Sequence, residues 1–247
     1  GEVSWQQGAA NKTKLTIDFR TTGTTDYRFL KKDVPLENVR AQVRVLPDKV
    51  EINKLSSKTC SGSLTGNIQV IPSNSNYSGN LIWAKISLKD LGDIYQLKGF
   101  KKGNISGSFR FSGNANKLTS LNGSGALSLT DGDLFAVPLF GPLSSLIDGV
   151  LSTASTRDTV LHEQATNFTC SYAAKNGVFY TNNLSCMTPN TVFTGEGWID
   201  TNKQDLDLTI RMNFRGLMGL AEVPMKLIEL PFQALNKIFT GRDVEGM

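Results

Sequence analysis

Asp205-Leu206-Asp207-Leu208-Thr209-Ile210-Arg211-Met212-Asn213-Phe214 sets Leu206, Leu208, Ile210, Met212 and Phe214 against polar residues in strict alternation. A period of two puts alternate side chains on opposite faces of a strand, one apolar and one wet. Working outward, the same rhythm recurs along most of the chain. It runs through Leu15, Ile17 and Phe19, then Val39, Ala41, Val43 and Val45, then Val50 and Ile52. It continues in Leu64, Gly66, Ile68 and Val70, in Ile82, Ala84, Ile86 and Leu88, and in Ile105, Gly107, Phe109 and Phe111. Leu127 and Leu129 follow, then Phe168, Cys170 and Tyr172. The links are turn sequences: Leu46-Pro47-Asp48-Lys49, Asp131-Gly132-Asp133, Lys175-Asn176-Gly177 and Pro189-Asn190. Half-wet strands joined mainly by short turns read as an antiparallel meander.

Composition agrees. The 247 residues carry 23 glycines, 39% apolar and only 19% charged residues, with a net charge of +4. That is a globular composition, and it fits neither a disordered chain nor a charge-stabilised coiled coil. The weak positive balance gives no footprint for nucleic acid. No run of 18 uncharged apolar residues offers a transmembrane helix, and no basic segment followed by an apolar one is visible as a signal peptide.

Enzymatic chemistry has no constellation to stand on. His162 is the single histidine, and GxSxG, GxxxxGK[ST] and a helix-leading GxGxxG are all missing. Cys60, Cys170 and Cys186 form no CxxC pair, so neither a zinc site nor any other metal or cofactor is expected. A Cys170–Cys186 bridge in an oxidising compartment and three reduced cysteines on strands both fit this spacing. Asn11, Asn76, Asn104, Asn122, Asn167 and Asn183 each open an N-x-[ST] triplet, which keeps a glycosylated extracellular domain in view.

Three segments break the strand pattern. Residues 90–97 suit a short helix, and Leu143, Leu146, Ile147, Val150 and Leu151 give helical spacing over 142–152, with Pro142 in the first turn. The tail 216–247 carries Leu217, Met218, Met225, Ile228, Phe232, Leu235 and Phe239, broken by Pro224 and Pro231. It reads as amphipathic helical pieces that pack on the sheet or lie on a membrane surface. The expected organisation is N-terminal strands over 1–33, a long curved antiparallel sheet over 34–215, open or partly closed, and a helical tail over 216–247.

Several of these segments resemble a known family. Gly103-Asn104-Ile105-Ser106-Gly107, Phe111-Ser112-Gly113, Leu121-Asn122-Gly123-Ser124-Gly125 and Leu129-Thr130-Asp131-Gly132-Asp133-Leu134 precede the 142–152 segment. Asn176-Gly177-Val178, Thr194-Gly195-Glu196-Gly197-Trp198-Ile199-Asp200 and Leu206-Asp207-Leu208 follow it. In order and spacing this resembles the C-terminal region of the AsmA family of bacterial envelope proteins, from about Val34 to Phe214. The resemblance implies a periplasmic β-groove, held to the inner membrane by an N-terminal helix that this chain lacks. It also implies phospholipid transport between membranes or outer-membrane biogenesis. The three cysteines depart from the pattern.

In that frame the acyl-chain groove would be lined by Val43, Val45, Ile68, Val70, Ile86, Phe109, Phe111, Leu127, Leu208, Ile210 and Met212. The same residues would serve as ordinary core beneath the helical segments. Gly107, Gly123, Gly125, Gly195 and Gly197 would permit curvature or bulges. Roughly 13 strands at about 4.8 Å would give a trough about 60 Å long. The partners expected are phospholipid or another acyl-chain ligand, a membrane surface and an envelope protein. A scaffold docking through its tail on a membrane or β-barrel partner is the alternative.

Overall fold

The computed structural model describes residues 2–8, 12–29, 32–96, 102–132, 165–187, 191–203, 205–214 and 223–228. Among them the chain forms β1 (Glu2–Gly8), β2 (Lys12–Arg20), β3 (Thr24–Phe29), β4 (Lys32–Val45), β5 (Val50–Thr59), β6 (Gly62–Ile71) and β7 (Asn76–Ser87). One helix, α1 (Leu88–Tyr95), separates these from β8 (Asn104–Asn114) and β9 (Lys117–Gly132). Then come β10 (Ala165–Lys175), β11 (Val178–Met187), β12 (Thr191–Asp200), β13 (Asp205–Phe214) and β14 (Val223–Ile228).

All fourteen strands lie in one antiparallel sheet that does not close, since β1 and β14 stand at its two ends. Each strand pairs with its neighbours in sequence, with one variation. β2 and β3 both lie against β4, β2 on Arg40–Val45 and β3 on Lys32–Glu37. They are one long strand interrupted at Thr21–Gly23, where the Val39 amide donates to Thr21 Oγ1 at 3.0 Å. The sheet therefore has thirteen strand positions, about 60 Å along its breadth at the usual spacing.

Alternation survives because the sheet keeps one face apolar, but bulges inside the strands reset it. An extra residue enters β4 at Asn38, β5 at Lys54, β7 at Lys85 and β11 between Thr181 and Leu184. Asn38, Lys54 and Lys85 take positive φ of 52°, 53° and 54° there. Bulges bend and twist a strand locally, which bends a sheet this broad. The β7 bulge corrects the expectation for Ile82, Ala84 and Ile86. Leu81, Trp83 and Ile86 share the apolar face, while Ile82 points to the other side and is 45% exposed.

The short helix lies at Leu88–Tyr95, two residues earlier than its pattern predicts. Ser87 caps it by accepting from the Asp90 amide, and Gln96 ends it in the left-handed region. The expected helix over 142–152 and the Pro189-Asn190 turn lie outside the described residues. The helical tail is corrected in part: Val223–Ile228 is a strand that extends the sheet beyond β13. Pro224 is tolerated there because an edge strand can forgo one ladder donor.

Candidate functional site

Cross-strand register assembles one continuous face. Val45 lies opposite Val50, Val43 opposite Ile52, Ile52 opposite Ile68, and Val70 opposite Tyr77. Leu81 then faces Phe109, Gly79 faces Phe111, and Leu127 faces both Gly107 and Cys170. Cys186 faces Phe168 and Phe193, and Gly195 faces Ile210. Ten of the eleven predicted groove residues occupy this face, and Met212 stands opposite Phe193 in register. Ile86, Leu208 and Ile210 are buried, Val45 is exposed, and the others of known exposure lie between. Burial is deepest over β10–β13, where Cys186, Phe193 and Ile210 are sealed.

The centre of this face is an aromatic floor that the predicted lining only half contains. Phe109 lies 5.6 Å from Phe111, 5.7 Å from Tyr172 and 6.0 Å from Phe179, and Tyr77 lies 6.1 Å from Phe111. These rings lie over glycines instead of standing off the sheet. A Cβ at Gly79 would sit 2.7 Å from the Phe111 ring, at Gly107 2.5 Å from Trp83, and at Gly125 2.6 Å from Tyr172. Tyr172 crosses β9 and donates to the Ser108 carbonyl at 3.0 Å. Burial pushes its phenol up to about 12. Gly107, Gly123 and Gly125 are thus seats for rings, and the bulges fall on other residue types. Sequence reasoning left Trp83, Tyr172 and Phe179 out of the lining. Tyr172 was visible in its alternation, whereas the bulge hid Trp83.

Helix α1 closes one end of the face. It reaches from β7 to β4, burying Leu88 and Tyr95, and the Tyr95 hydroxyl donates to the Phe29 carbonyl at 3.0 Å. The connections 88–103 and 133–164 both begin and end at this end of the sheet. The opposite end is made of turns laced together by amides. Asn114 Nδ2 donates to the Asn74 carbonyl and to Asn76 Oδ1, the Asn176 amide donates to Asn122 Oδ1, and Asn202 Nδ2 donates to the Asn176 carbonyl. Asn183 Oδ1 accepts the Ser171 amide at the β11 bulge. Three of the six N-x-[ST] asparagines therefore hold structure with their side chains.

Cys60, Cys170 and Cys186 are free thiols, so the Cys170–Cys186 bridge is not formed. Burial raises all three, Cys186 to about 12. His162 lies outside the described residues, and among those described no three His, Cys, Asp or Glu gather as a metal site. Of the tail residues expected at a membrane, Met225 stands opposite Ile210 in register and Ile228 opposite Asp207. Leu217, Met218, Phe232, Leu235 and Phe239 lie outside the described residues.

The reverse face is mostly polar, with Ile82 and Tyr180 exposed on it. Lys49 and Arg44 flank Glu51 at 2.8 and 3.2 Å, and this lysine first, with the arginine, holds the carboxyl below its ordinary value. Arg211 meets Glu196 at 3.1 Å. Comparison with protein-family models, with curated proteins and with solved structures finds no match to the chain.

Proposed function

We propose that this chain is a non-enzymatic section of an AsmA-like envelope protein that binds acyl chains along its apolar face. In this reading it serves phospholipid movement between membranes, or outer-membrane biogenesis, in the periplasm, with an N-terminal helix of the longer protein anchored in the inner membrane. The observation that carries the reading is the continuity of the apolar face across an open sheet. An acyl chain gains about 0.8 kcal/mol for each methylene it buries, so a long chain is held firmly without a head-group pocket. Rings packed over Gly79, Gly107 and Gly125 leave a low floor, and a low floor lets a flexible chain slide between equivalent positions. The order of glycine-rich segments shared with the AsmA pattern supports the same conclusion.

The test is native mass spectrometry of the protein purified from bacterial membranes, beside a stripped sample given phospholipid again. Bound lipid of defined stoichiometry is expected, lost in Phe109→Asp and Val70→Asp while circular dichroism keeps the strand signal. Ile210 is a poor probe, since it is fully buried and an aspartate there would unfold the sheet. A folded protein that never takes up lipid overturns the proposal and leaves a scaffold as the reading to pursue.

A further inference from the structure

The reverse face gathers one cluster of cations that no ion pair among the described residues neutralises. Arg20 and Arg40 are register partners on β2 and β4, and Arg40 is in turn the partner of Ser56 on β5. One row nearer the turn end, Asp18 faces Gln42, and Gln42 faces Asn53, beside the bulge residue Lys54. Asp18, Arg20, Arg40, Gln42, Lys54 and Ser56 line one depression of about 790 Å³. The cluster spans three neighbouring strands, about 10 Å.

Three features set it apart. First, cations directly opposite one another on a strand pair repel, and Arg20 and Arg40 stand so. Second, Arg20, Arg40 and Lys54 make no ion pair among the described residues, although Arg44, Lys49 and Arg211 on the same face all do. The single carboxylate in the depression, Asp18, accepts from Gln42 Nε2 at 3.1 Å. Third, Lys54 is held at φ 53° by the bulge, and strained or bulged backbone is concentrated where a side chain must be aimed. β1 ends at Glu2 opposite Asp18, so no described strand pairs with Arg20 on its outer side.

The geometry points to an anion site for a phosphate group. Two guanidinium forks match the oxygens of a phosphate in two planes, and a lysine adds a point charge. The Ser56 hydroxyl and the Gln42 amide offer neutral donors beside them. A phosphate would relieve the Arg20–Arg40 repulsion, giving the site a reason for its unbalanced charge. The chemistry is shared by a free phosphomonoester and by the headgroup of an anionic phospholipid. This site lies on the face opposite the acyl-chain groove, so its existence is independent of that proposal.

The experiment uses the full chain at low salt. Inorganic phosphate and glycerol 3-phosphate are titrated by calorimetry, and phosphatidylcholine vesicles with and without phosphatidic acid are tested by flotation. Arg20→Gln and Arg40→Gln are each expected to weaken binding at least about tenfold, the loss of a charge-assisted contact. Their melting temperatures are expected to equal or exceed the parent's, because a like-charge pair is removed. Lys175→Gln, an equal charge loss remote from the site, should leave binding unchanged. Capture of free phosphate identifies a soluble ligand, and capture of phosphatidic acid vesicles alone identifies a headgroup at a surface. Either result stands for the site if the two arginine variants lose it. Binding that falls equally in Lys175→Gln, or a parent protein that binds none of these probes, overturns it.

Discussion

At the scale of single residues, the apolar face depends on where side chains are missing as much as on where they are large. Gly125 lies between Phe109 and Tyr172 in register, and a methyl there would come within 2.6 Å of the Tyr172 ring. The ring cannot lift without breaking its hydroxyl's bond to the Ser108 carbonyl. Gly125→Ala is therefore expected to lower stability by about 1–3 kcal/mol, the usual cost of overpacking. Gly23→Ala meets nothing within 4 Å and should fall within about 0.5 kcal/mol of the parent. Urea denaturation of both variants checks this, and equal effects would mean that the ring seats carry no strain. The sequence cannot distinguish such glycines from turn glycines. Gly177 at φ 79° and Gly107 under a tryptophan look alike in a string of letters.

At the scale of elements, strands were legible wherever alternation ran unbroken, as in β6, β8 and β13. One apolar and one wet face impose a period of two, and that period survives in the string. Bulges are what the string conceals, because one inserted residue reverses parity without changing composition. Ile82 and Ala84 continue an apparent apolar series that Lys85 breaks. The bulge is nonetheless built in: its Lys85 amide donates to Ser106 Oγ at 2.9 Å. The β14 strand was missed for another reason. Its apolar residues and prolines fit split helices on composition, and only pairing with β13 selects a strand. Lys85→Gly should be neutral or stabilising by up to about 1 kcal/mol, since glycine takes positive φ without a Cβ clash. Deleting Lys85 should leave Ile86 two positions after Trp83, on the same face and still opposite Ile105, so the cost is expected to stay below about 2 kcal/mol, the loss of the local bend and of the Lys85 amide's bond to Ser106 Oγ. Thermal melts of the two variants give the comparison, and a deletion that costs more than about 3 kcal/mol would show that the bulge supports more than a local bend.

At the scale of the molecule, the sheet is close to one-dimensional. Among the described residues every strand pairs with its sequence neighbours, with the one variation that β2 and β3 both lie on β4. Stability in such an array is a sum of strand and neighbour terms, so the ends, with one partner each, open first. β1 has seven residues and β14 six, whereas β9 has sixteen and is paired on both sides. The turn end adds cross-links between successive hairpins: the Ala115 amide to the Ser75 carbonyl, the Gly177 amide to the Leu121 carbonyl, and Thr201 Oγ1 to the Gly177 carbonyl. These lie from β6 to β13, and among the described residues the N-terminal strands have none. Native-state hydrogen exchange should therefore show greatest protection in β7–β10, falling toward both edges. The amides of β1 and β14 are expected to exchange at least about tenfold faster than those of β8 and β9. Short edge strands also limit pairing with other chains, which an open sheet invites. Uniform protection across all strands would mean that the sheet opens as a single cooperative unit, with stabilising contacts beyond its nearest-neighbour pairs.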